Sequence, residues 1–249
     1  MKLEGWIRLG LVAVSFLVLE FLTRTGIIST TVLTPPSEVV KELFAILQQG
    51  DLNHDILATF RNVAFATAIV IVLGFAIGLS LHATPWLRTA IEPLLASYYS
   101  VPTFMFYPVF IVLFGVGNSP IIAIAVLLAI VTMITATLNG LDRIPRVLRK
   151  TAHVYRMSRI STALLIELPA TAPYIFTGIK LAVAYAFIGV IASEFILSGS
   201  GLGYEIAYAY NNFENRKMYA LMLLVLVTVI VINTFLNAVD QRLQERRQR

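Results

Sequence analysis

Three histidines, a glycine-rich run and a few carboxylates are the residues of this chain whose types could do chemistry, and their spacing excludes most of it. His54, His82 and His153 fall in three separate loops and lack the close ligand spacing that holds zinc. With no cysteine there is no thiolate for a metal or an iron–sulfur cluster and no disulfide framework. Gly199-Ser200-Gly201-Leu202-Gly203 follows a long apolar segment instead of a strand and lacks the Lys-Ser/Thr end of a phosphate-cradling loop. It reads as a turn, and the chain has no ATP site of its own. No nucleophile elbow occurs either. What remains is charge in telling places. Glu194 and Lys180 lie inside one apolar stretch and Glu20 near the end of another. Between two apolar stretches, Gly140 to Pro173 carries Arg143, Arg146, Arg149, Lys150, Arg156 and Arg159 against only Asp142 and Glu167.

Composition names the medium that must position these groups. The chain has 249 residues, of which 58% are hydrophobic and only 13% charged, more apolar surface than a soluble core of this size buries. About 20 apolar residues cross the hydrocarbon layer. Six stretches suit: 7–23, 63–81, 98–116, 121–138, 174–197 and 218–236. The formal charge of +5 sits in loops and ends beside them, which membrane orientation explains more simply than nucleic acid. Retention of cationic loops inside places Gly140–Pro173 in the cytoplasm, together with Lys2, Arg8, Arg88 and the tail cations Arg242, Arg246, Arg247 and Arg249. Both termini are then cytoplasmic. The first stretch has no Ala-x-Ala cleavage site after it and reads as a membrane anchor.

The chain accordingly divides into an anchor (1–33), an amphipathic extracytoplasmic segment (34–61), a core of spans (62–240) containing the basic loop (140–171), and a basic tail (241–249). In the second part Val39, Val40, Leu43, Phe44 and Leu47 recur at helical spacing, and a second short helix is expected across Leu52–Phe60. Gly74 and Gly78 allow close helix approach within span two, and His82–Pro93 is expected to turn the chain. Span three, kinked by Pro102 and Pro108 and rich in aromatics, is the favoured pathway wall, because interior prolines free carbonyls that only protein or water can receive. Its candidate lining residues are Pro102, Phe106, Tyr107 and Phe110. Glu194 either lines the path, receives a partner at the dimer centre or makes a structural hydrogen bond near the headgroups, and Lys180 is expected to snorkel.

The basic loop resembles the cytoplasmic loop of permease subunits of bacterial ABC importers. Their signature is Glu-Ala-Ala, three residues, Gly, nine residues, Ile, one residue, Leu-Pro. Here Ala152, Ile166, Leu168 and Pro169 match, while Lys150, Thr151 and Arg156 occupy the Glu, first Ala and Gly slots. The flanks are similar to the nitrate, sulfonate and taurine group of these permeases. They include Pro35-Pro36-Ser37-Glu38-Val39, Glu92-Pro93-Leu94-Leu95, Phe114-Gly115-Val116-Gly117, Ile191-Ala192-Ser193-Glu194-Phe195 and Gly201-Leu202-Gly203-Tyr204. The resemblance covers about residues 34–237.

It implies an all-α integral membrane protein, the MetI-like type I importer fold, with six transmembrane helices and a cytoplasmic coupling helix between spans four and five. The lever runs from Arg146 to Ile160, free of Gly and Pro, with Leu148, Ala152, Tyr155 and Arg159 on one face. Coupling residues are Arg149, Lys150, Thr151, Ala152, Tyr155, Arg156, Ser158, Arg159, Ile166, Leu168 and Pro169. The resemblance also implies an inner-membrane permease that is not itself an enzyme and is paired with an identical copy. ATPase subunits that bind ATP and magnesium would drive it, and an extracytoplasmic solute-binding protein would serve it. The cation at Lys150 and the long Arg156 side chain, which stands where a Gly would permit close approach, point to an ATPase partner with a complementary acidic surface or to an altered coupling geometry. The rival is a self-sufficient secondary transporter or channel, which would need ionisable groups at the bilayer midplane or an inverted repeat of broken helices. A membrane enzyme would need clustered His or acidic residues, which are absent.

Overall fold

The computed structural model describes the backbone of residues 3–247 and, within it, all side chains except those of residues 3–6, 8, 9, 159, 160 and 242–247. Lys2 and Arg249, and the side chains of Arg8, Arg159, Ile160, Arg242, Arg246 and Arg247, lie outside the described residues. Regular structure among the described residues is helical: α1 Leu3–Arg24, α2 Pro36–Gln49, α3 Asn53–Ala83, α4 Pro85–Ser97, α5 Tyr107–Phe114, α6 Asn118–Asp142, α7 Arg146–Val154, α8 Arg159–Thr162, α9 Leu168–Leu197, α10 Leu202–Asn211 and α11 Asn215–Arg247. In lipid every backbone group must find its partner inside the chain, and a helix does this locally.

Among the described residues, four helical stretches are long and apolar enough to span a bilayer: Asn53–Ala83, Asn118–Asp142, Ala163–Leu197 and Asn215–Gln241. A fifth candidate is a broken pair, Pro85–Ser100 and Thr103–Phe114, bent by 96°. The break falls at Val101-Pro102, where the residue before a proline is driven out of the helical region: Val101 is extended, at φ −84° and ψ 120°. Span three is therefore two short 3₁₀ turns and α5 instead of one kinked helix. The expected turn at His82–Pro93 is largely helix α4, with Pro85 in its first turn and Pro93 inside. Pro93 costs α4 one backbone bond, and the helix tolerates the loss.

The chain forms two compact units, Met1–Ala58 with Glu194–Thr228, and Thr59–Ser193 with Val229–Arg249. In the second unit α6 is the central element. Ile121, Ile124, Ala125, Ala129, Met133 and Thr137 are buried along it. Close approach comes from glycine on both neighbours. A methyl group at Gly74 or Gly78 of α3 would fall 2.7 Å from Met133 Cβ or Thr137 Cβ, and one at Gly189 of α9 would fall 2.6 Å from Ala125 Cα.

The first unit is held by carboxylates that cap helices remote in sequence. Pro35 precedes α2 and cannot cap it with a side chain. Glu20 of α1 does so instead, accepting the Ser37 N–H at 2.9 Å and the Ser37 hydroxyl at 2.7 Å, while Arg24 donates to it at 2.6 Å. Glu20 thus holds α1 to α2. α2 buries Val39, Leu43 and Ile46 and leaves Phe44 and Leu47, two residues of the expected apolar face, exposed. No separate helix covers Leu52–Phe60; Asn53 opens α3, which continues unbroken for 31 residues. At 1.5 Å per residue that is about 46 Å, longer than the hydrocarbon layer.

Candidate functional site

α7 begins where Pro145, at φ −57° and ψ 133°, turns the chain, and the Leu148 N–H closes the first bond to the Pro145 carbonyl at 3.0 Å. Its first turns carry Arg146, Arg149 and Lys150 and no acid, which opposes the helix dipole. The helix stops after nine residues, at Val154. Arg156 has φ +50°, the Met157 N–H reaches the Ala152 carbonyl and the Arg156 N–H the His153 carbonyl, each at 3.0 Å. This is a Schellman closure with Arg156 at its left-handed position. The lever expected from Arg146 to Ile160 is therefore two pieces, α7 and the single turn α8. The reason glycine belongs in the Arg156 slot is backbone conformation, not the close approach the sequence suggested.

Exposure divides the candidate coupling residues. Ala152 is buried within its own unit, so the Leu148–Ala152–Tyr155 stripe expected to face outward is in part an inward contact. Lys150, Thr151, Tyr155, Arg156 and Ser158 are exposed, and so are Val147 and Val154. Thr151 folds its hydroxyl back to the Val147 carbonyl at 3.0 Å. Ser158 accepts the Ser161 N–H at 3.1 Å, starting α8. Arg149 donates to the Leu141 carbonyl at 3.1 Å and stands 4.0 Å from Glu167, tying α7 back to the end of α6 and the start of α9.

The motif's end, Ile166, Leu168 and Pro169, lies on a π-helical turn, Ala163–Glu167, running directly into α9. Pro169 has no N–H to give, a cause of such wide turns. Beside the turn is an apolar cavity of about 190 Å³ lined by Phe75, Leu79, Leu141, Leu164 and Thr171, among others. Sequence reasoning missed the cluster preceding α7. Arg88 of α4 binds Asp142 of α6 through two bonds, at 2.8 and 2.7 Å, with His82 Nδ1 of α3 3.4 Å away. His54, His82 and His153 lie in helices α3 and α7, not in loops.

Of the path candidates, Pro102, Phe106, Tyr107 and Phe110 all belong to the broken span, with Phe110 stacked on Phe114 at 6.1 Å. Tyr98 anchors the break by donating to the Leu127 carbonyl at 2.6 Å. Glu194 is fully buried in the first unit, where its carboxylate accepts the Gly203 N–H at 3.2 Å, and the Asp55 carboxylate accepts the Gly201 N–H at 2.7 Å. The carboxylates close the turn into α10, whose own cap residue is Gly201. Lys180 binds Asp240 at 2.7 Å and Asn237 at 3.1 Å on α11. No local pattern links positions so far apart.

Comparison with known proteins agrees with this architecture. The family described as binding-protein-dependent transport system inner membrane component matches residues 70–249. A nitrate import permease of Leptolyngbya laminosa is 27% identical over 217 residues, covering 83% of this chain and 77% of its own. The taurine transport system permease of Escherichia coli is 22% identical over 242 residues, covering 95% and 88%. In fold the chain is similar to the methionine ABC transporter MetNI in an inward-facing conformation, with a TM-score of 0.69 at 16% identity over 77% of this chain and 95% of that one. The profile match covers well over half the sequence, so the chain belongs to the binding-protein-dependent transport system inner-membrane components and is the permease component of an ABC importer.

Proposed function

We propose that this permease forms, with a second copy of itself, the path for a small solute handed over by an extracytoplasmic binding protein, and that α7 is the handle through which a separate ATPase drives it. Family membership implies both partners. The observation that carries the handle is exposure on a cationic helix: Val147 is 70% exposed, Val154 78% and Tyr155 76%. A helix this rich in cations does not belong in the hydrocarbon layer, so these apolar side chains await a protein groove. ATP and magnesium belong to that partner.

The mechanical route follows the chain. α7 is tied to the end of α6 and the start of α9 through Arg149, and the cluster of Arg88, Asp142 and His82 joins α3, α4 and α6 immediately before it. A push on α7 therefore reaches three long helices as one body, while the wide turn at Ala163–Glu167 and the cavity beside it leave α9 room to tilt. Pro102, Phe106, Tyr107 and Phe110 on the broken span line the path in this reading. Glu194 is assigned to the α10 turn. Coupling contacts come from Lys150, Thr151, Tyr155, Arg156 and Ser158, with Arg149, Ala152, Ile166, Leu168 and Pro169 positioning α7, and Arg159 standing at the start of α8. The termini and α7 are cytoplasmic, α1 is the sixth span, and α2 and α10 lie outside, where the binding protein docks.

The reading is tested in vesicles holding permease, ATPase and binding protein, with the solute the binding protein is found by calorimetry to hold. Val147→Asp with Tyr155→Asp abolishes ATP-dependent uptake and lowers ATPase retention, while membrane insertion and thermal stability are unchanged. Full uptake by this variant sinks the handle. Uptake driven by an ion gradient without any ATPase would favour a self-sufficient carrier.

A further inference from the structure

Resting on the reading that places α10 outside, we infer that Phe213 is the anchor by which the extracytoplasmic binding protein docks, its ring entering an apolar socket of that protein. α10 ends in a Schellman closure: the Phe213 N–H reaches the Tyr210 carbonyl at 3.2 Å and the Glu214 N–H the Ala209 carbonyl at 2.9 Å. That sets Phe213 at the left-handed position, with φ +58°, where glycine fits best. Its side chain is displayed, and the residue is 86% exposed. Phe213 therefore costs the free chain twice, once in backbone strain and once in apolar surface left to water. A bulky residue held at such an outlier and aimed away from its own fold has its role in what it meets, and a protruding aromatic ring is the commonest kind of docking anchor.

The surface behind the ring is fastened in place. Asn215 donates to the Thr31 carbonyl, the Tyr219 hydroxyl donates to the Val32 carbonyl at 2.7 Å, and Arg216 pairs with Glu38 at 2.8 Å. These bonds tie the loop before α2 to the start of α11, and between them lies a cleft of about 600 Å³ that Phe213 borders with Thr34, Glu42 and Glu214. Little ordering is left to oppose docking. The cations of the cleft are taken, Arg216 by Glu38 and Lys217 by Glu205 at 2.8 Å, which leaves Glu42 and Glu214 to set its sign. That sign selects the occupant. A second copy of this chain would bring the same acids with it, and anionic lipid headgroups are repelled by them, whereas a soluble partner can set lysine or arginine around its socket.

The test uses the complete permease–ATPase complex in lipid nanodiscs, titrated with binding protein. Phe213→Gly and Phe213→Asn both suit a left-handed backbone, so thermal stability should not fall. Each should leave ATP turnover without binding protein unchanged and raise about thirtyfold the binding-protein concentration that stimulates it half-maximally, as the loss of an aromatic hot spot does. Stimulation of both variants at the wild-type concentration overturns the inference. The chain has no cysteine, so Phe213→Cys gives the permease a single thiol for a membrane-impermeant maleimide. In sealed vesicles it should label from the outer side, about tenfold more slowly once binding protein is added. Outer labelling at a rate that binding protein does not change overturns the anchor and leaves the topology standing, whereas labelling from the inner side alone overturns the topology beneath it. A thiol that reacts only with a lipid-soluble maleimide assigns the ring to the headgroup layer, and one that an oxidant joins to a second permease assigns it to a contact between copies; either result overturns the anchor.

Discussion

Two turns in this protein carry a residue at positive φ and meet its demand in opposite ways. The turn into α10 is made by Gly201 at φ +102°, and the turn out of α7 by Arg156 at φ +50°. At Gly201 the space a side chain would need is filled: a methyl group there would lie 2.5 Å from the Glu194 carboxylate. At Arg156 the side chain is exposed, and the strain of a left-handed arginine is offset by two backbone bonds. One turn is closed from inside by two carboxylates and has room only for glycine. The other keeps a glycine-like backbone while displaying a cation. Interior turns conserve shape, and a displayed turn can change its surface without losing its conformation.

The largest effect should come from Gly201→Ala, which combines an unfavourable φ with overlap on Glu194. A loss of about 3 kcal/mol is expected, seen as a fall of roughly 10 °C in the melting temperature of the detergent-purified chain. Next is Glu194→Ala, which removes the acceptor of the Gly203 N–H and should cost about 2 kcal/mol. The double variant sharpens the comparison: deleting the carboxylate makes room for the new methyl, so the two losses should fall short of adding. Full additivity would mean that Glu194 does not fill the turn. Asp55→Ala, removing the acceptor of the Gly201 N–H, should cost about 1 kcal/mol by the same melting measurement.

Arg156→Gly is the smallest change and has the opposite sign. Relieving the left-handed arginine should stabilise the end of α7 by about 1 kcal/mol, slowing amide exchange there about fivefold. Unchanged protection would show that the arginine side chain itself holds the turn, and the contrast with Gly201 would fail.

Much of the architecture was legible because the bilayer leaves an apolar run little choice. Continuous runs such as 121–138 and 218–236 had to be helices, and they are, within α6 and α11. The start of α7 was legible from Pro145. Its end was not, because no Gly or Pro marks it; the Schellman closure at Arg156 defies the local preference for glycine. Val101-Pro102 announced trouble in span three, but whether a proline kinks a helix or breaks it through 96° depends on what anchors the chain on either side, and the Tyr98 hydroxyl on the Leu127 carbonyl is a tertiary contact. A linear division at residues 33, 61 and 240 likewise could not foresee that Glu194–Thr228 would group with the N-terminal segment.

By itself the sequence determined the medium, the helical class and the place where charge must stay in water, because these follow from transfer free energies that each segment carries alone. Only the tertiary structure decided the occupations of the buried charges. Glu20 became the cap of α2 and Asp55 closed the turn into α10 beside Glu194, Lys180 found Asp240, and Asp142 bound Arg88. A charge inside a membrane protein must have a partner, but its identity depends on which helices come to lie side by side, and that is a property of the packed chain.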